Sequence, residues 1–294
     1  GDYTPSTSPV PDRRGTRFLQ PTADGAALVT LPSPDDADGS GRTVFLTLYD
    51  AAGDSSSTIA LDEDLEVEAF CCVGGAFSLL LNGPEGQLLR LPDGTEKSLD
   101  DLFSGGAQAQ WLAGSADGLL LLCPDGQAAA LNHQGDVLWT ERFSGEMVTA
   151  MTTAEETVQL LARWDTMAML QDLDLATGRL TPVGSVPEAL CSLSLTPGAR
   201  WGYDLLAWDQ EAVYGWRAGS TAVEQLLRWD LLEFDSDRLL ALVCRSETEL
   251  LAFARGKTTA LEELTITPAA EPSWKAAYRT TLSQDIFSAG TPVE

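Results

Sequence analysis

Only one histidine, His133, and three lysines, Lys97, Lys257 and Lys275, occur among 294 residues. With a single imidazole, any Ser-His-Asp or Cys-His arrangement would have to be assembled around His133. That residue sits in the turn "NHQGD", so it reads as a surface turn rather than a catalytic base. Cations are scarce in general: 18 Lys and Arg face 44 Asp and Glu, a net charge of −26. Such a surface repels phosphate backbones and anionic lipid headgroups, which disfavours nucleic acid and peripheral membrane binding. No apolar run approaches the roughly 18 residues needed to cross a bilayer, the longest tight one being "GLLLLC", 118–123, so direct membrane insertion is excluded too. No CxxC pair exists, and the five cysteines, Cys71, Cys72, Cys123, Cys191 and Cys244, each lie in or beside an apolar run. They read as buried free thiols; only a strained bridge between the adjacent Cys71 and Cys72 competes.

Helical periodicity is missing over any long window, and turn residues recur every 8 to 12 positions, the mark of an all-β chain. What is present is a repeat. The segment "DGQAAALNHQGDVLW", 125–139, spells an apolar strand, a glycine turn and a second strand. Six copies of its core end on Gly53, Gly94, Gly135, Gly178, Gly219 and Gly256, about 41 residues apart. Each copy is preceded by a second apolar strand, such as "FSLLLN" or "YDLLAW", and before that by a third, as in "AQAQWLA". Four short strands per unit is the size of one propeller blade. The expectation is an all-β propeller of four-stranded antiparallel blades, six in number with seven as the alternative, over residues 16–267. Residues 1–15, rich in Pro, Ser and Thr, read as a flexible tether of the kind that follows a lipid anchor. Residues 268–294 read as ring closure or the start of a further domain. Val137 and Trp139 should share one strand face, with Trp139 as a wedge between blades.

The 130–139 copy resembles the tryptophan-docking repeat of quinoprotein-type propellers, with Ala130, Asn132, Gly135 and Trp139 in the motif places; Asp174, Thr177 and Gly178 repeat part of it. The chain as a whole, through "YDAAG" (49–53), "LLRWDLLEFDSDRLLALV" (226–243) and "LTITPAAEPSWK" (264–275), looks like the propeller that precedes a solute-binding domain in lipoproteins of gut Clostridia. These resemblances imply a bacterial, lipid-anchored extracellular setting.

Candidate binding residues lie in the loop between the second and third strands of each blade: Glu85, Asp125, Trp164 with Asp165, and Trp208 with Asp209. Indoles beside carboxylates suit a sugar or a cationic group. The competing reading makes the same indoles inter-blade packing. "DADGSG", 36–41, offers Asp36, Asp38 and Ser40 as alternating oxygens for calcium, but Val44 and Thr47 stand where the ninth and closing ligands belong, so a solvated hairpin without a cofactor is favoured. No sequence of the Asp-box type and no singled-out carboxylate pair points to hydrolysis. The function expected is therefore non-enzymatic: a monomeric extracellular module that binds a protein or glycan through one face. The alternative is a carbohydrate-active or quinoprotein-like enzyme.

Overall fold

The computed structural model describes residues 17–30, 42–50, 54–62, 64–165, 167–228, 239–246, 249–255, 261–268 and 274–280. The described residues are strands, turns and short 3-10 segments. None of their helices is long and apolar enough to cross a membrane. The strands are β1 (Arg17–Thr22), β2 (Gly25–Thr30), β3 (Arg42–Asp50) and β4 (Asp54–Leu61). Next come β5 (Glu66–Val73), β6 (Ala76–Gly83), β7 (Gly86–Arg90) and β8 (Glu96–Ser98). They are followed by β9 (Trp111–Ser115), β10 (Gly118–Leu122), β11 (Gln127–Leu131) and β12 (Val137–Arg142), then by β13 (Glu146–Thr152), β14 (Val158–Trp164), β15 (Met167–Asp174) and β16 (Arg179–Val186). The last are β17 (Ser194–Pro197), β18 (Leu205–Trp208), β19 (Ala212–Trp216), β20 (Glu224–Arg228), β21 (Leu239–Ser246), β22 (Glu249–Arg255), β23 (Leu261–Pro268) and β24 (Trp274–Thr280).

Hydrogen bonding follows chain order through six groups of four strands. The chain nevertheless divides into two compact units. The central unit holds Asp62–Pro197 and Ala218–Thr221; the terminal unit holds the described parts of Gly1–Leu61, Gly198–Arg217 and Ala222–Glu294. Three whole blades, β5–β8, β9–β12 and β13–β16, lie in the central unit, and two, β1–β4 and β21–β24, in the terminal one. The remaining group is split, with β17 in the central unit and β18–β20 in the terminal one. The expected six or seven blades are therefore corrected to five whole ones. The 41-residue spacing counts repeats, whereas a whole blade needs all four strands held together. Strand β17 has only four residues and ends on Pro197, which has no N–H to donate.

The blades are propeller-type because their middle strands are apolar on both faces. Strand β10 shows this best. Leu119 and Leu121 enter the core shared with β5–β8, while Leu120 and Leu122 enter the core shared with β13–β16. All four are buried, each contributing on the order of 2 kcal/mol. In the terminal unit the first and last blades pack directly, Ala26, Leu28 and Tyr49 against Val243 and Leu251. Strand β24 pairs with β23 and β1 with β2, so among the described residues closure by strand exchange between the chain ends is replaced by face packing. The last blade accordingly runs past residue 267, to Thr280.

The repeat glycines Gly94, Gly135, Gly178 and Gly219 all turn the hairpin between third and fourth strands, with φ of 86°, 78°, 71° and 80°. This left-handed region is where a side chain is strained, which explains why glycine recurs there. Gly53 and Gly256 lie outside the described residues. Trp139 is a wedge, as its position in the repeat suggests, but the expected shared face with Val137 is corrected: a bulge pairs Val137 with Leu131 and Trp139 with Ala130, which puts them on opposite faces. Its Nε1 donates to the Leu175 carbonyl at 2.7 Å, and the indole covers Gly178 on the next blade. Trp139→Ala should cost about 2–3 kcal/mol through lost packing and an abandoned carbonyl, whereas Trp139→Phe, which keeps a ring, should cost about 1 kcal/mol. Paired melting curves check this: equal losses would contradict the packing role of the ring, and an unchanged Trp139→Phe would contradict the indole hydrogen bond.

Candidate functional site

Each predicted loop does join a second strand to a third. Glu85 lies between β6 and β7, Asp125 between β10 and β11, Asp165 between β14 and β15, and Asp209 between β18 and β19. The first three belong to the central unit and Asp209 to the terminal one. Glu85 is exposed. Asp125 is engaged: its Oδ1 accepts the Gln127 backbone N–H at 3.2 Å, and its Oδ2 accepts Gln127 Nε2 at 2.9 Å and Arg142 Nη2 at 2.8 Å. The Gln127 amide, seconded by Arg142, holds its carboxyl below the usual carboxylate range. Asp125 is thus a turn-stabilising group at the surface. Asp36, Asp38 and Ser40, the proposed calcium ligands, lie outside the described residues.

The two Trp-Asp pairs have different fates. Trp208 is only 8% exposed and packs with Leu206, Val213, Leu227, Leu242 and Leu250, so it takes the packing role. Asp209 turns inward on its own loop, its Oδ1 accepting the N–H groups of Glu211 and Ala212 at 2.8 Å each. Trp164 is half-buried. Its indole lies against Gly145, where an added Cβ would stand 2.7 Å from Cε2. Asp165 beside it is exposed. Trp164 pairs across the strands with Met167, which is 45% exposed, so the two side chains share one face. On the opposite face of β14 Arg163 Nη2 meets Glu146 Oε2 at 2.7 Å and Nε donates to the same oxygen at 3.2 Å. Glu188 and the half-buried Cys191 lie within electrostatic reach of that guanidinium. The Trp164–Met167 side can offer an apolar contact beside the carboxylate of Asp165 to a ligand.

Sequence reading missed Met167, the Arg163–Glu146 pair and the roles of Gln87 and Gln127. The two glutamines grip one connection. Gln87 Oε1 accepts the Ala109 N–H and its Nε2 donates to the Ala109 carbonyl, at 2.8 and 2.9 Å. Gln127 does the same at Ser104, at 2.8 and 3.1 Å. Each side-chain amide thus imitates a strand partner. The repeated "GQ" at 86–87 and 126–127 is the signal that could have found them. His133 likewise ties turns together, its Nε2 lying 3.1 and 3.2 Å from the carbonyls of Ser115 and Ala116.

The cysteines are free thiols, and Cys71, Cys72, Cys123 and Cys244 are buried. Burial pushes each of these four up to about 12. Thiolate is the reactive form, so alkylation at pH 8 should modify the half-buried Cys191 first, at least ten times faster than the others. Mass spectrometry of peptides from the folded and denatured protein checks this. Labelling of Cys71 in the folded state would contradict it.

No protein-family model and no curated protein matches this chain. Solved structures that resemble it include BamB from Moraxella catarrhalis, 12% identical over 93% of this chain and 94% of that one, TM-score 0.44. The WD40 β-propeller domain of Doa1 is 12% identical over 90% and 96%, TM-score 0.45. The Pseudomonas aeruginosa periplasmic gluconolactonase PpgL is 16% identical over 69% and 66%, TM-score 0.39. Likeness this distant says nothing of function, and the propeller fold rests on the blades described above.

Proposed function

We propose that the protein is a non-enzymatic interaction module, monomeric, displayed outside a bacterial cell, that binds a protein or glycan through the loops between second and third strands. One observation carries this reading: Trp164 and Met167 share a partly exposed face beside the exposed Asp165. Met167, 45% exposed beside a partly exposed indole, supports an apolar contact with a partner at this loop. The Pro, Ser and Thr-rich start of the chain supports a tethered, extracellular setting. The strongly acidic surface supports a monomer, because copies repel one another.

The test is Trp164→Ala, probed on a glycan array and against peptide arrays, with the melting temperature measured alongside. Loss of a specific signal with a shift of no more than about 4 °C supports the reading. A fall of about 10 °C or more, with no array signal for either form, would mean that Trp164 is simply part of the core.

A further inference from the structure

We infer that the Trp164–Met167 face receives a basic, extended segment of a partner protein, an inference that rests on the interaction-module reading and specifies its ligand. The argument starts from a difference between neighbouring blades. Strand β11 begins with Gln127, which is buried because the long connection between β8 and β9 crosses it and is gripped by it. Strand β15 begins at Met167, but the connection between β12 and β13 is only Phe143, Ser144 and Gly145. So short a link reaches the Trp164 indole through Gly145 and leaves Met167 45% exposed. The blade therefore ends in an exposed methionine beside a half-covered indole where its neighbour carries a strap of chain.

Charge selects the occupant. Beside the pair stands the exposed carboxylate of Asp165, next in the chain to Trp164, while the guanidinium of Arg163, on the other face of β14, is already committed to Glu146. The whole chain carries −26. A segment with Lys or Arg would place a charge over Asp165 while aliphatic stems lie on Met167 and Trp164. A neutral sugar would gain nothing from that excess of negative charge, and an acidic segment would be repelled.

The probe is a fluorescein-labelled nine-residue peptide of Lys, Leu, Arg and Gly, with a copy in which Glu replaces every Lys and Arg. Binding is read by fluorescence anisotropy at about 50 mM and about 500 mM salt, where screening separates charge from apolar contact. Trp164→Ala and Met167→Gln should each weaken binding about tenfold, Asp165→Asn about threefold, and the Glu copy should not bind. Asp117→Asn removes the same charge from the exposed turn between β9 and β10, at the other end of a neighbouring blade, and should change binding less than twofold. Because Met167 and Asp165 are exposed, their variants keep the fold and the melting temperature. Equal weakening by Asp117→Asn and Asp165→Asn, with Trp164→Ala and Met167→Gln silent, would overturn the inference in favour of general attraction to an acidic surface. If an array glycan binds through Trp164 and the basic peptide does not bind, the cationic ligand is wrong and the interaction module stands. If Trp164→Ala changes neither glycan nor peptide binding, both fail.

Discussion

Arg200→Met should destabilise the terminal unit by about 3 kcal/mol, roughly a 5–10 °C fall in melting temperature. Arg200 stands in a single 3-10 turn, Ala199–Trp201. Its guanidinium donates to four backbone carbonyls: Nη1 to Gly25, at 3.4 Å, and to Arg245, and Nη2 to Thr22 and to Ala23, the last at 2.7 Å. Three of these belong to the β1–β2 hairpin and one to the end of β21, so the side chain clamps the first blade to the last. Trp201 reinforces the join through Nε1 to the Ser246 carbonyl at 3.0 Å. Methionine keeps the aliphatic volume and removes every donor, leaving carbonyls without their charged partner. Lysine keeps the charge as a point and cannot span four acceptors, so Arg200→Lys should recover less than half of the loss. Hydrogen exchange at residues 22–25 and 245–246 should rise in both variants while the central unit is unchanged. Uniform exchange, or a melting temperature within about 1 °C of the parent, would show that the clamp contributes little.

Gly126→Ala should be costlier still, about 4 kcal/mol or more, and could prevent the central unit from folding. At φ 88° a Cβ is already strained by about 1–2 kcal/mol. Here it would also stand 2.2 Å from the Phe143 carbonyl oxygen, a backbone atom that cannot step aside alone. That segment is fixed, because the Phe143 N–H donates to the Gly126 carbonyl at 2.9 Å. Gly219→Ala is the comparison. Its φ is 80°, but nothing lies within 4 Å of the added atom, so only the conformational term of about 1 kcal/mol remains. Chemical denaturation of both variants separates the terms. A Gly126→Ala protein as stable as Gly219→Ala would show that the β12 end can shift freely.

The four-strand repeat was legible because its determinants are local: a two-residue alternation, and a left-handed glycine in the hairpin between third and fourth strands. "GLLLLC" was legible for the same reason, since a strand apolar on both faces has to be sandwiched. The division of the β17–β20 group was not, because it depends on how well a four-residue strand ending in proline holds its neighbours. The paired Trp-Asp loops show the limit most clearly. Trp164 and Trp208 close the equivalent second strands of their four-strand groups and each precedes an aspartate, yet one is half-buried on a glycine and the other is sealed in a core. What decides is the neighbouring chain: Gly145 on a three-residue link in one case, and Leu242, Cys244 and Leu250 of β21 and β22 in the other. Arg200 was invisible because its partners Thr22 and Ala23 lie 178 and 177 residues away.

The connection between β8 and β9 is held at Ser104 by one blade and at Ala109 by the next, each through a glutamine that grips both the N–H and the carbonyl of a single residue. Two fixed points separated by a set number of residues make this stretch a spacer. Lengthening the chain between Ser104 and Ala109 would let slack bulge outward at Gly105 and Gly106, leaving both grips intact. Inserting one residue just before Ser104 would instead offer Gln127 the wrong peptide unit and force the two blades to choose between their grips. The arch between the two grips can therefore vary in length, but the distance from β8 to its first anchor is a length standard set by Gln127.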